Sequence, residues 1–187
     1  MDKKNIKIFE NTPYNSEKNL IKSYNSFMEL LPNDAWALFR DGDTLFLDSF
    51  YGTLIEEAII NNPDTDFFTC MTNRIYCSYQ KHEEYLGDDV RKHRIISNNL
   101  KEKHKGVYLD ITNETKKISG MVMVLSKKSW LKIGGFKEFS NGYGNMLGVD
   151  NKLHIDLKDN GFKLKLIKGL YVYHWYRGGI KDDSHLK

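Results

Sequence analysis

Trp36-Ala37-Leu38-Phe39-Arg40-Asp41-Gly42-Asp43 carries an apolar run into two carboxylates separated by one glycine. The run reads as a buried strand. Asp41 and Asp43 are two positions apart, so in an extended segment their side chains point the same way. Gly42 lets the backbone turn and come close to a ligand. Two hard oxygen donors at a strand end suit Mg²⁺ or Mn²⁺, ions that also hold phosphate oxygens. Taken alone, Asp-Gly-Asp is more often a plain turn. A calcium loop does not fit: counted from Asp41, positions six and twelve are Phe46 and Gly52, where an EF-hand needs Gly and Glu.

Outward from this stretch, strands alternate with helices. Ile6 to Phe9 reads as a short strand and Thr12-Pro13-Tyr14-Asn15 as a turn, with Ser16 placed to cap the following helix. Leu20, Tyr24, Phe27 and Leu31 recur at helical spacing, widened by Ile21 and Met28, and Pro32-Asn33-Asp34 stops the helix. A second helix is expected over about Ser49 to Asn61 and a strand over Asp66 to Met71. The polar, aromatic stretch from Thr72 to Asp89 reads as a functional loop. Asp88 or Asp89 then caps a basic helix that runs to about Lys105. Ile118 to Leu125 reads as a strand, and Ser126 caps a short helix from Lys127 to Ile133 that stops at Gly134-Gly135. A glycine-containing mobile segment is expected over Phe139 to Val149, then a helix from Asp150 to Asn160. Two last strands follow, Phe162 to Ile167 and Leu170 to Trp175. This alternation predicts an α/β fold with a mostly parallel central sheet in a single domain over residues 1–177, followed by a polar tail at 178–187.

Composition bounds the function. The chain has 187 residues, 40% hydrophobic and 28% charged, enough for one globular domain with a real core. The net charge is +3, and basic and acidic residues are interspersed, so no nucleic-acid partner is expected. Cys70 and Cys77 match no common zinc spacing and read as reduced thiols. No signal peptide is visible, and no apolar run approaches the about 20 residues of a membrane span. The expectation is a cytoplasmic protein without a transmembrane segment, with room for peripheral contact with a membrane. The oligomeric state is left open.

Three places carry chemistry: Asp41-Gly42-Asp43, Gly148-Val149-Asp150-Asn151 and Tyr173-His174-Trp175-Tyr176-Arg177. In an open α/β sheet ligands collect at the carboxyl ends of the strands, so residues distant in sequence can share one cleft. Together with the run from Ile118-Ser119-Gly120 through Ser126 and Trp130 to Gly134-Gly135-Phe136, these segments resemble the family 2 glycosyltransferases of GT-A (Rossmann-like) fold. The resemblance covers about Ile6 to Arg177, and the order of the motifs is more specific than any one of them. It implies a Mn²⁺ or Mg²⁺ cofactor held by Asp41, Asp43 and His174. It implies Asp150 as the base that deprotonates an acceptor hydroxyl, Gly120 and Arg177 at the donor, and Trp175 and Asn151 near the acceptor. The donor would be a nucleotide-sugar, the acceptor a glycan or other hydroxyl compound, and the outcome inversion. It also implies an N-terminally shortened variant, since one strand and one helix fit before Asp41 where the family has a longer base-binding unit.

Plainer roles stand beside these. Asp150 has the position of a helix N-cap, and His174, among aromatics, that of a packed strand histidine. His82, His93 and His104 lie among Lys and Arg and read as a solvated face. Trp36 and Trp130 read as core, and Thr72-Asn73-Arg74 either as a capped turn or as a loop facing a ligand. At the level of function, the alternatives are a catalytically degenerate, glycosyltransferase-like module that binds a sugar or a partner, and a metal-dependent nucleotidyl- or phosphotransferase. The latter lacks the lysine-bearing Gly-rich phosphate loop.

Overall fold

The computed structural model describes residues 6–139 and 147–176. In chain order its elements are β1 (Lys7–Asn11), α1 (Leu20–Leu30), β2 (Ala35–Arg40), β3 (Thr44–Phe46), α2 (Tyr51–Asn61), β4 (Thr65–Thr72), α3 (Val90–Lys103), β5 (Tyr108–Asp110), β6 (Val122–Ser126), α4 (Lys127–Ile133), α5 (Val149–Asp159) and β7 (Lys163–His174), with a 3₁₀ turn at Ser78–Gln80. None of these helices is long and apolar enough to cross a membrane.

The strands form one sheet in the order β1-β2-β6-β4-β7, with β3 and β5 both on the outer edge of β7. It is a mixed α/β sheet. β1 runs parallel to β2 and β4 parallel to β7, while β6 is antiparallel to both β2 and β4, so β1, β2, β4 and β7 share one direction. The carboxyl ends of β2, β4 and β7 and the start of β6 therefore meet at one edge of the sheet, where the expected motifs lie.

Both faces of the sheet are covered. Tyr24 and Met28 of α1, Ile96 and Leu100 of α3, Trp130 and Ile133 of α4, and Leu153 and Leu157 of α5 pack on one face against Ala37, Phe39, Phe67, Met123 and Leu125. Ile55, Ala58 and Ile59 of α2 pack on the other against Leu38, Phe68, Val122 and Val124. Adjacent residues such as Phe67 and Phe68 face opposite cores, which is why β4 and β6 read as continuous apolar runs and not as alternation.

Several expectations change on folding. Asn19, not Ser16, caps α1, its side chain accepting from Lys22 N–H at 2.9 Å. The strand expected to begin at Ile118 begins at Val122. The two final strands are one, β7, whose register with β4 shifts between Ile167 and Tyr171. Gly169 lies in that irregularity. A Cβ there would sit 3.0 Å from the His104 carbonyl oxygen, so the missing side chain lets the end of α3 close over the strand. β3 and β5 are short and carry no alternation that would mark them beforehand. His93 is fully buried, its Nε2–H donating to the Gly87 carbonyl at 2.7 Å and its Nδ1 accepting from the Tyr171 hydroxyl at 2.8 Å. The caps Asp89 and Ser126 and the left-handed Gly134 at φ 75° are as the sequence suggested.

Asp48, buried beside β3, links the second layer to α3 through the Lys101 ammonium. Burial raises the Asp48 pKa, but the Lys101 hydrogen bond, the Phe50 N–H and the nearby Lys101 and Arg94 charges outweigh it and hold the carboxyl below its ordinary 3.8. A depressed carboxylate contributes stability above its unfolded pKa and loses it as pH falls through the folded one. Lys101→Met should therefore cost roughly 1.5–3 kcal/mol at pH 7 by urea unfolding, the range for a hydrogen bond to a charged group. The difference from wild type should shrink steadily as the pH is lowered below 3.8.

Candidate functional site

Asp41-Gly42-Asp43 is the turn between β2 and β3. Asp41 N–H donates to the Met121 carbonyl at 3.0 Å, carrying the β2–β6 pairing one residue past Arg40. The Thr44 N–H (3.1 Å) and hydroxyl (2.7 Å) both donate to the Asp41 carbonyl and close the turn. Gly42 has no positive φ, and a Cβ on it would meet only Thr12 Cγ2, at 3.6 Å. The turn itself does not require glycine, contrary to the conformational role expected from the sequence.

β3 doubles back along β7 with Thr44 opposite His174, and Trp175 N–H donates to the Asp43 carbonyl at 3.0 Å. That register sets the last histidine of the sheet against the Asp-Gly-Asp turn. Ligand atoms of Asp41, Asp43 and His174 all lie within 4.8 Å of one another, and His174 Nε2 is 3.2 Å from Asp43 Oδ1. His174 is 3% exposed, and its Nδ1 is 2.9 Å from the Arg74 carbonyl oxygen. A carbonyl can only accept, so Nδ1 carries a proton and Nε2 is the nitrogen that faces the carboxylates. Buried Asn73 grips the same backbone from both sides. Its Oδ1 accepts from His174 N–H at 2.8 Å, and its Nδ2 donates to the His174 carbonyl at 3.2 Å.

Asp150 enters from the other side, in the first turn of α5. Gly148 is the N-cap, at φ 79°, so Asp150 is not the cap. Its Oδ1 accepts from Asn151 N–H at 2.8 Å and its Oδ2 from Gly120 N–H at 2.7 Å. A Cβ on Gly120 would lie 3.1 Å from the Asp150 Cβ, so glycine just before β6 lets the helix come this close without displacing it. Burial is the leading cause that lifts the Asp150 carboxyl above its usual range, only partly offset by these N–H bonds. Burial also pushes Asp41 up to about 7, with the His174 charge pulling it down and Asp43 and Asp150 pushing it up. Asp41 and Asp43 crowd a buried histidine and repel one another, with Asp150 close enough to add to the charge felt by Asp41, and a divalent cation would relieve that repulsion.

An aromatic floor supports the site. Tyr24 stacks on Phe136 at 4.7 Å between ring centroids and meets Phe39 edge-on at 4.8 Å. Asn25 holds Phe136 in place, Oδ1 accepting from its N–H at 2.8 Å and from Trp130 Nε1–H at 2.9 Å. Gly135, at φ 85°, leaves no room for a Cβ, which would be 2.9 Å from Asn25 Oδ1. The Gly-Gly-Phe segment thus props the strand that ends in Asp41.

The sequence-derived residues Asp41, Asp43 and His174 come together, with Asp150 beside Gly120 on the same edge of the sheet. Asn151 is half-buried in the α5 first turn, and Trp175 is half-exposed directly after His174. Arg177 and most of the expected mobile segment at 139–149 lie outside the described residues. Asn25 and the Thr12–Tyr14 loop beside Gly42 had no such reading in the sequence, and Asn73 was open between a capped turn and a loop facing a ligand. Their role depends on what they face, and only the position of Asn73 directly after a buried strand hinted at it.

Because the Gly42 turn has room for a methyl group, Gly42→Ala should leave the unfolding free energy in urea within about 0.5 kcal/mol of wild type or slightly higher. A loss above 1.5 kcal/mol would mean the turn is strained in solution. A scan against protein-family models finds no match to this chain, and a search of curated proteins finds none either.

Proposed function

We propose that this protein is a metal-dependent glycosyltransferase of GT-A-like fold that moves a sugar from a nucleotide-sugar to a hydroxyl of a glycan or other acceptor. The observation that carries the reading is the convergence of Asp41, Asp43 and His174, with ligand atoms within 4.8 Å, and a half-buried Asp150 on the same sheet edge.

The donor set fits a hard divalent ion: two carboxylates and one imidazole whose tautomer is fixed by the Arg74 carbonyl. Asp41, Asp43 and His174 would hold Mn²⁺ or Mg²⁺, which when bound neutralises the charge of a departing diphosphate. The remaining work belongs to the chain. The acceptor oxygen attacks the anomeric carbon, the bond from that carbon to the diphosphate oxygen breaks with its electron pair, and the hydroxyl proton passes to Asp150. Burial makes Asp150 a stronger base than a solvated carboxylate, and a positioned base contributes typically 10²–10⁴-fold. Trp175, half-exposed at the rim, offers an apolar face to a sugar ring. Tyr14 is 87% exposed on the loop whose Thr12 adjoins Gly42 and offers a stacking face for a nucleobase.

A second reading has one observation in its favour. Both Asp150 oxygens already accept backbone N–H groups, as they would in a purely structural helix start, and that suits a binding module without turnover. Titration calorimetry with Mn²⁺ and a panel of nucleotide-sugars tests the first reading. One donor should bind only with metal present, Asp43→Ala should abolish that binding, and Asp150→Asn should keep it while transfer falls about 10²–10⁴-fold. Failure of every donor to bind with metal overturns the proposal. Donor binding without release of nucleoside diphosphate in any acceptor mixture favours the binding module.

A further inference from the structure

We infer that Gln80 and His154 are positioning residues for Asp150, acting through the backbone strip Ile118–Ser119–Gly120. This rests on the reading of Asp150 as the working carboxylate of the site.

The strip precedes β6, whose ladder with β2 begins at Val122, and it lies outside the strand pairings. Its amides must find partners elsewhere, because a buried unpaired N–H is costly. Each of the three finds a side chain. Ile118 N–H donates to His154 Nδ1 at 3.2 Å, Ser119 N–H to Gln80 Oε1 at 2.8 Å, and Gly120 N–H to Asp150 Oδ2 at 2.7 Å. The directions alternate as in an extended segment: residues 118 and 120 reach α5, and residue 119 reaches the loop after β4. Asp150 and His154 are four apart on α5, so one helical face takes both alternate amides.

Each clamp is itself fixed. Gln80 is fully buried, and its Nε2 donates to the Ser119 carbonyl at 3.1 Å and to Thr69 Oγ1 at 2.9 Å. Thr69 in turn donates to the Val122 carbonyl at 2.8 Å, so the Gln80 amide is tied into β4 and β6. His154 is also fully buried, with Nε2 3.3 Å from the Thr112 carbonyl. Nε2 therefore carries the proton, and Nδ1 is left as an acceptor for Ile118. Neither residue belongs to the metal-ligand group. Their contribution is to hold the amide of Gly120 against α5, where a Cβ on that residue would come within 3.1 Å of the Asp150 Cβ. A shift of the strip away from α5 lengthens the bond to Asp150. A displacement of about 1 Å at a reacting group costs up to 10²-fold in rate.

Amide hydrogen exchange followed residue by residue in the full chain tests the coupling without any need for turnover. Gln80→Met and His154→Leu should each lower the protection of the Gly120 amide at least tenfold although Asp150 is intact, while amides at the far end of β2 stay unchanged. The milder His154→Asn, which keeps an uncharged acceptor for Ile118, should recover most of it and serves if the first pair fails to fold. In a transfer assay the disruptive variants should lower kcat about 10- to 100-fold with the Mn²⁺ Kd and donor KM within twofold. Unchanged Gly120 protection in folded Gln80→Met and His154→Leu overturns the inference. So does a loss in His154→Leu that His154→Asn does not reverse. If wild-type protein transfers no sugar, the proposed function fails by itself and the exchange result still decides whether these residues position Asp150.

Discussion

The pairing of β3 with β7, Thr44 opposite His174, is the constraint on which the site depends. Three residues after Asp41 the chain reverses and runs antiparallel along the last strand, and the Trp175 N–H bond to the Asp43 carbonyl completes the junction. A one-residue slip of so short a strand would turn the side chains of β3 to the opposite face and carry the carboxylates away from the imidazole. The register is held from both sides: the Asp41 turn is stitched to β6 through Met121, and the His174 backbone is gripped by Asn73. Neither attachment is apolar. The hydrophobic cores bring the strands together, and a few buried hydrogen bonds then select which residues meet.

The same division of labour runs through the rest of the sheet edge. Charged side chains sit here at a cost, since burial lifts the carboxyls of Asp41 and Asp150 above their usual range. Such strain is common where a fold prepares a site for a cation or a proton. Beneath it lies a layer built for rigidity, in which Tyr24, Phe39 and Phe136 interlock and Asn25 fixes the Gly-Gly-Phe turn. The working reading of a metal-dependent glycosyltransferase draws on both layers: ionisable groups that converge, and a scaffold that keeps them from relaxing apart.

Gly42 and Gly120 show how a motif can be legible for the wrong reason. The sequence suggests Gly42 for the freedom of its backbone, yet its φ is not positive and a Cβ would fit. Gly120, expected at the donor, is the glycine at which α5 comes close to the chain, a Cβ there reaching within 3.1 Å of the Asp150 Cβ. The plainer role open to Asp150, a helix cap, belongs to Gly148, which leaves the carboxylate to bridge the helix start and the strip before β6. His93 sat among lysines and arginines and read as exposed. Its burial comes from Tyr171 and Tyr173 of β7, more than seventy positions away, which no local pattern can report.

By itself the sequence determined the alternation of strands and helices, most of the caps, the two-faced apolar strands and the residues able to hold a metal or move a proton. These follow from periodicity, side-chain chemistry and backbone preference, all of which act within a few residues. Tertiary structure alone decided that β7 is continuous, that β3 and β5 line its outer edge, that the sheet is mixed, and that Asn73, Asn25, Gln80 and His154 support the site. The reason is physical. A three-residue strand has no periodicity to read and forms only because a neighbour offers unpaired backbone groups. A buried amide or imidazole, in turn, has no role until the fold brings it an amide or carbonyl to bind.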